Sequence, residues 1–207
     1  MDDRYAAGSN VRKMQADLKN VDPKGDAELK AALDLVASWN GAADMENRAA
    51  ALTIFTGQAI MGSQIHGTYD RAKALVALKE TAALLKTATG RIDPKWSEVS
   101  RVARGGKSWP TDGGPDTLRA VYAGGDLAKD KFRSGRAGDT YVAMADWAPD
   151  GTYTIDTIHQ YGSATIDASS PHYADQAPIF AAKQFKRPPM TLQGVLAEAT
   201  RDYRPGK

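Results

Sequence analysis

Apolar side chains recur at intervals of three and four through the first half of the chain, the spacing that lines one face of an α-helix. Val11, Met14 and Leu18 share such a face. Leu29, Leu33 and Val36 form a second stripe that runs on to Trp39, with Gly41 as its stop. Leu52, Phe55 and Ala59 mark a third helix, which Asp44 can cap. A fourth, from about Tyr69 to Thr87, carries Leu75, Leu78, Ala82 and Leu85 and is closed by Gly90. Asp22-Pro23 and Asp93-Pro94 each place a capping carboxylate before a proline, which tolerates the first helical turn. The spacing therefore predicts helix starts at both, the second opening a short helix with Trp96 and Val99. Short connections make these antiparallel helical hairpins.

Beyond residue 104 the period falls to two. Tyr141, Ala143, Ala145 and Trp147 alternate with Val142, Met144 and Asp146. Ala148-Pro149-Asp150-Gly151 then supplies a turn, because proline presets φ and glycine accepts a positive φ. Thr152 to Tyr161, rich in Thr, Ile and Tyr, completes a β-hairpin. Thr117 to Tyr122 reads as a further strand, and short helices follow around 179–185 and 192–199. The pattern predicts an α+β chain built as one structural unit. A helical region spans residues 1–104, and a mixed strand and loop region with short C-terminal helices spans 105–207.

Composition changes this picture in one respect. Leu, Ile, Val and Phe sum to 34 of the 207 residues, while 35 are alanine. That is below the roughly 20% of large aliphatic and Phe residues at which an adequate core becomes doubtful. Alanine adds little apolar area, whereas a buried Leu or Phe contributes about 1.5–3 kcal/mol. Such a chain packs its helices closely or completes its core against other polypeptide. Net charge is only +2, from 27 basic and 25 acidic side chains without a concentrated patch, so nucleic acid is not expected as a partner. With no cysteine, disulfides, thiol catalysis and cysteine-ligated zinc are excluded. No run approaches the roughly 18 apolar residues of a membrane span, and a membrane is not expected as a partner either. The start, Met1-Asp2-Asp3-Arg4, has no apolar stretch, so no signal peptide is expected on this chain.

Little in the sequence converges on chemistry. His66 beside Gly67 sits at a helix end, where a capping role is the plainer one; His159 lies in a strand and can pack or bond a neighbour. His172, Tyr173 and Asp175 crowd one turn, but no nucleophile lies beside them in sequence, so a hydrogen-bonding role outweighs catalysis. Gly105-Gly106-Lys107-Ser108 ends like a phosphate-binding loop, yet position 101 is Arg and Trp109-Pro110 stands where a helix would start. It is read as a loop, as is Gly113-Gly114-Pro115. Gly8-Ser9-Asn10 resembles a self-cleavage point that would expose a catalytic serine, but Val11 to Met14 continues at helical spacing and the match is only three residues long. No catalytic, cofactor-binding or metal-ligating residue is assigned, and no cofactor is expected.

One stretch is not generic. Trp96-Ser97-Glu98-Val99, Gly113-Gly114-Pro115-Asp116-Thr117-Leu118-Arg119-Ala120-Val121-Tyr122, Gly138-Asp139-Thr140-Tyr141-Val142, His159-Gln160-Tyr161-Gly162 and Ser170-Pro171-His172-Tyr173-Ala174-Asp175-Gln176-Ala177 follow in order. Together they resemble the C-terminal part of the large chain of the penicillin acylase family, in particular its acyl-homoserine-lactone and aculeacin acylase branch. The closing Tyr203-Arg204-Pro205-Gly206 resembles the end of those proteins, and Asp3-Arg4 and the Trp39 helix end carry a looser likeness.

The resemblance implies a four-layer αββα N-terminal-nucleophile hydrolase fold, of which this chain supplies helical hairpins and a β-hairpin-centred sheet portion. It implies a self-cleaving precursor whose N-terminal serine attacks an amide, with an oxyanion hole of backbone N–H and an asparagine. The substrates implied are N-acylated small molecules: acyl-homoserine lactones, lipopeptides or β-lactams. In the family these catalytic groups lie earlier in the large chain, so none is carried onto a position here. The isolated chain is expected to be inactive, and its partners are the small chain and the N-terminal part of the large chain. Family members are usually periplasmic or secreted. A non-catalytic binding or assembly module derived from the fold is the alternative, and an unrelated hydrolase built on His172 and Asp175 ranks last.

Overall fold

The computed structural model describes residues 2–62 and 65–200. The chain divides into two compact units, 1–139 and 140–207. The architecture is α+β, as the change of period predicts. The strings at Met1 and at Tyr203-Arg204-Pro205-Gly206 lie outside the described residues.

In the first unit, α1 (Asn10–Leu18), α2 (Ala27–Ser38), α3 (Ala50–Met61) and α4 (Arg71–Thr89) carry the stripes read from the sequence. The central helix is α3, buried without a break from Ala50 to Gln58, as a helix apolar on every side must be. Met14, Leu33, Val36, Leu78 and Leu85 join Leu52 and Phe55 in one core. Ala59 leaves the expected stripe and is exposed, whereas Met61 in the same turn returns to the core.

The helix starts differ from the sequence reading, at Asp22 and Asp44 for a shared reason and at Asp93 through a side-chain ion pair. A short polar side chain captures the backbone two residues on and makes a turn before any helix begins. Asp22 accepts from the Lys24 N–H at 2.9 Å, and Lys24 and Gly25 have φ of 50° and 82°. The cap of α2 is Asp26, which accepts from the Leu29 N–H at 2.9 Å. Asp44 likewise turns onto the Glu46 N–H at 3.2 Å, and α3 starts after Ala49 without a side-chain cap. Asp93 is taken by Arg91 through two bonds of 2.7 and 2.8 Å. Lys95 therefore precedes α5 (Trp96–Val99), its N–H held by Glu98 at 3.1 Å. Gly90 closes α4 in the left-handed conformation, as expected. The end of α2 is Trp39, in extended conformation ahead of Gly41.

A four-stranded sheet completes this unit, in the order β2-β1-β4-β3. Its strands are β1 (Ser100–Arg104), β2 (Lys107–Pro110), β3 (Val121–Gly124) and β4 (Arg133–Gly138), with α6 (Leu127–Asp130) between the last two. The pairs β1–β2 and β3–β4 are antiparallel, and β1–β4 is parallel. The strand expected over Thr117 to Tyr122 begins only at Val121. Thr117 is buried in the preceding loop, its hydroxyl shared between the carbonyls of Gly114 at 3.0 Å and Arg119 at 2.8 Å. Arg133 ties the sheet to α3, lying 4.3 Å over the Phe55 ring and donating to Gln58 Oε1 at 2.7 Å.

The second unit is built on the predicted hairpin. β5 (Tyr141–Trp147) and β6 (Tyr153–His159) pair antiparallel from Tyr141–His159 to Trp147–Tyr153 without a register shift. The turn is closed by Ala148 N–H to Thr152 O at 2.8 Å and Gly151 N–H to Ala148 O at 3.0 Å. α7 (Ala177–Ala181) packs on β6, where Ile158 and Phe180 are fully buried. Arg187 grips Asp156 through bonds of 2.8 and 2.6 Å, beside the bridge between Thr157 and Lys186. α8 (Leu192–Glu198) follows, with no buried residue. Among the described residues no helix is long and apolar enough to cross a membrane.

Candidate functional site

The loop between β2 and β3 is tied to several other parts of the first unit. Asp112 and Arg119 form an ion pair with Nε 3.1 Å from Oδ1, and the Arg119 side chain is 0% exposed. Trp96 donates its indole N–H to Gly113 O at 2.7 Å, and the Gly113 N–H bonds Ala43 O at 2.9 Å. The N-terminal segment joins through Arg119 N–H to Asp2 O at 2.9 Å. Gly113 is obligatory: its φ is +80°, and a Cβ there would lie 2.2 Å from Arg119 O. Asp139 accepts from the Ala120 N–H at 3.2 Å. Burial raises the Asp139 carboxyl above its ordinary range, against the opposing pull of that bond and of the Arg119 charge. The buried charges face each other, so this loop binds the unit together instead of presenting a reactive group.

The second unit holds a polar cavity of about 230 Å³ lined by Tyr141, His159, Ser163, Asp175, Gln176 and Lys186, among others. Gly162 lets the chain close around it, since a Cβ there would meet His172 O at 2.0 Å and Asp175 Oδ1 at 2.7 Å. The turn carrying His172 is fixed by Ala164 N–H to His172 O at 3.2 Å and by Gln176 N–H to Tyr161 O at 2.6 Å. His172 Nδ1 lies 3.0 Å from Asp175 Oδ2, with the imidazole 63% exposed. Desolvation pushes the Asp175 carboxyl up. The hydrogen bonds from His172 and Gln176, with the charges of His172 and Lys186, outweigh it and leave the group below its ordinary value. His159 sits on the same wall, its ring 6.3 Å from that of Tyr141, with a buried Nδ1 that bonds nothing within the described residues.

The remaining positions noted in the sequence have local explanations. Ser9 is the N-cap of α1, its Oγ accepting from the Arg12 N–H at 3.4 Å. Gly105-Gly106 turns the β1–β2 hairpin, with φ of 60° and 74°, the primed turn that suits twisted strands. His66 does not cap α3, whose end is closed by Gly62 and by Gly67 N–H to Met61 O at 3.1 Å; its ring lies 6.3 Å from that of Tyr122. Among the described residues no three His, Asp or Glu side chains gather as metal ligands. A larger groove, about 530 Å³, runs between α2 and α4 over Ala31, Ala32, Ala82 and Ala83. Its rim charges pair across it, Lys86 with Glu28 at 2.8 Å and Lys79 with Asp26 at 3.4 Å, and do not converge on a point.

The chain is 27% identical over 107 residues to the acyl-homoserine lactone acylase PvdQ of Pseudomonas fluorescens, a stretch covering 51% of this chain and 14% of that protein. A family model for penicillin amidase matches residues 1–197, which takes in the helical core, the Asp112–Arg119 loop and the hairpin with its cavity. The chain belongs to the penicillin amidase family.

Proposed function

We propose that this chain is a supporting part of an acylase that hydrolyses the amide bond of N-acylated small molecules, and that the groups which break the bond lie on other parts of the acylase polypeptide. The family match over residues 1–197 is the observation that carries this reading. Its local chemistry agrees. The hydroxyl of Ser9 is spent on a helix cap, and the His172 ring is bonded to Asp175. An acyl transfer needs a nucleophile and base in hydrogen-bond reach, with donors aimed at the developing oxyanion.

The partners in this reading are the small chain and the N-terminal part of the large chain, with neither nucleic acid nor a membrane involved, in a periplasmic or secreted setting. Exposed apolar side chains give them a place to dock: Leu192, Val195 and Leu196 on α8 are 75%, 47% and 66% exposed. The substrates are acyl-homoserine lactones, lipopeptides or β-lactams, the acyl chain being held largely by the partner polypeptide. A chromogenic N-acyl amide assay on the purified chain tests the proposal. No turnover is expected, and turnover that is abolished by Ser9→Ala would overturn it.

A further inference from the structure

Of the asparagines Asn10, Asn20, Asn40 and Asn47, only Asn40 is followed by glycine. The chain itself holds an asparagine amide carbon near the next backbone nitrogen, so a reaction between them has the advantage of an intramolecular step. Glycine has no Cβ and leaves that nitrogen unhindered. Asn40 is exposed and borders an open cavity of about 390 Å³ shared with Asp44 and Asn47, so water reaches it.

The turn around this amide is unusually well tied. Asn40 Oδ1 accepts from the Ala42 N–H at 2.9 Å, which closes a turn on its own backbone, and from Asn47 Nδ2 at 2.9 Å. Asn47 is anchored in turn. Its Nδ2 also donates to Ala42 O at 2.9 Å, and its Oδ1 accepts from the Ala49 N–H at 3.0 Å. The same turn receives the Trp39 indole N–H on Ala42 O at 2.8 Å and the Tyr5 N–H on Gly41 O at 2.8 Å.

We propose that Asn40-Gly41 is a deamidation site that the folded turn keeps shut, the two donors on Oδ1 holding the side chain in the turn instead of over the Gly41 nitrogen. When the turn opens, the Gly41 nitrogen gives up its proton and bonds to Asn40 Cγ. The Cγ–Nδ2 bond breaks, and the amide group takes up a proton and leaves as ammonia. One water then opens the cyclic imide. Attack at one carbonyl gives aspartate, and attack at the other gives isoaspartate, in which the main chain runs through Cγ. Aspartate keeps an acceptor for Ala42 and Asn47, so the turn re-forms. Isoaspartate lengthens the backbone by one carbon between Trp39 and Gly41 and displaces the carbonyl that holds Tyr5. The site therefore makes an opening of this turn permanent and releases the N-terminal segment.

Mapping of the tryptic peptide 31–48 after incubation at mildly alkaline pH, with isoaspartyl methyltransferase labelling, reads both products. Two hydrogen bonds of ordinary net strength correspond to roughly a 5–30-fold suppression, so the chain unfolded in urea should deamidate at Asn40 at least about fivefold faster than the folded chain. Asn47→Asp withdraws one donor while keeping the acceptor for Ala49, and should speed the folded chain about fivefold. Asp70→Ala removes the cap of α4 and leaves the turn alone, so it should stay near the parent rate. Protection of the Tyr5 amide from hydrogen exchange should fall as isoaspartate accumulates and persist in Asn40→Asp. Equal rates in the folded and unfolded chain overturn the proposal. So does acceleration by Asp70→Ala that matches Asn47→Asp, or an unfolded chain that gains no isoaspartate at Asn40. The reaction involves no acyl substrate, so it stands or falls apart from the acylase reading.

Discussion

Arg119 is charged and wholly buried, with its guanidinium 3.1 Å from Asp112. Removing one member of such a pair strands the other in a low-dielectric interior, so Arg119→Ala should cost about 3–5 kcal/mol in urea unfolding. The double change Arg119→Met with Asp112→Leu should cost less. Ser9→Ala should cost about 1 kcal/mol through loss of the α1 cap, a change in stability alone. Asp139 behaves oppositely to a paired carboxylate. Burial makes the folded chain hold its proton more tightly, so its stabilising contribution is complete below the ordinary value of 3.8 and fades as pH rises through the folded value. Asp139→Asn keeps the acceptor for Ala120 and removes the titration. Urea midpoints should show the variant gaining on the parent toward neutral pH, the two converging in acid. The sequence offered no sign of this residue's burial, because distant elements decide it. A signal for the serine's cap did lie in the sequence, unused, since helical spacing follows it directly.

Helical stripes are visible in one dimension because burial repeats every turn, and Leu29-Leu33-Val36 and Leu75-Leu78-Leu85 needed no structure to be seen. Starts were harder. Asp22 and Asp93 carry the right residue type, but an adjacent amide and an adjacent arginine claimed them first. Strands β1 and β4 were missed because arginine interrupts them, at Arg101, Arg104, Arg133 and Arg136, so no alternation of apolar residues marks them. The hairpin of the second unit was legible from its period of two and its Pro-Asp-Gly turn. Around the cavity, Gly162→Ala should push the 172–175 turn away and break the His172–Asp175 contact. The Asp175 carboxyl, held below its ordinary value chiefly against desolvation by His172, should then titrate higher by NMR.

At the scale of the molecule, the few large aliphatic residues are not spent evenly. The first unit builds its core around α3, whereas α8 in the second contributes no buried residue. If α8 docks on other polypeptide, its apolar face adds nothing to the isolated chain. Leu192→Gln with Leu196→Gln should therefore leave Tm unchanged while lowering the binding of a hydrophobic dye. What periodicity could not give was the division at 139, because its change comes earlier, where helix first gives way to strand.

The four tryptophans fall unequally across that division. Trp39 and Trp96 are 3% and 0% exposed, and Trp109 is half-buried, all in the first unit; Trp147 is 68% exposed and belongs to the second. Indole emission shifts to the red in water and is quenched by dissolved iodide, so Trp147 is an intrinsic optical label for one end of the hairpin. Iodide should extinguish the red component selectively, and any surface that seats against the ribbon should restore it, with no dye attached and no residue replaced.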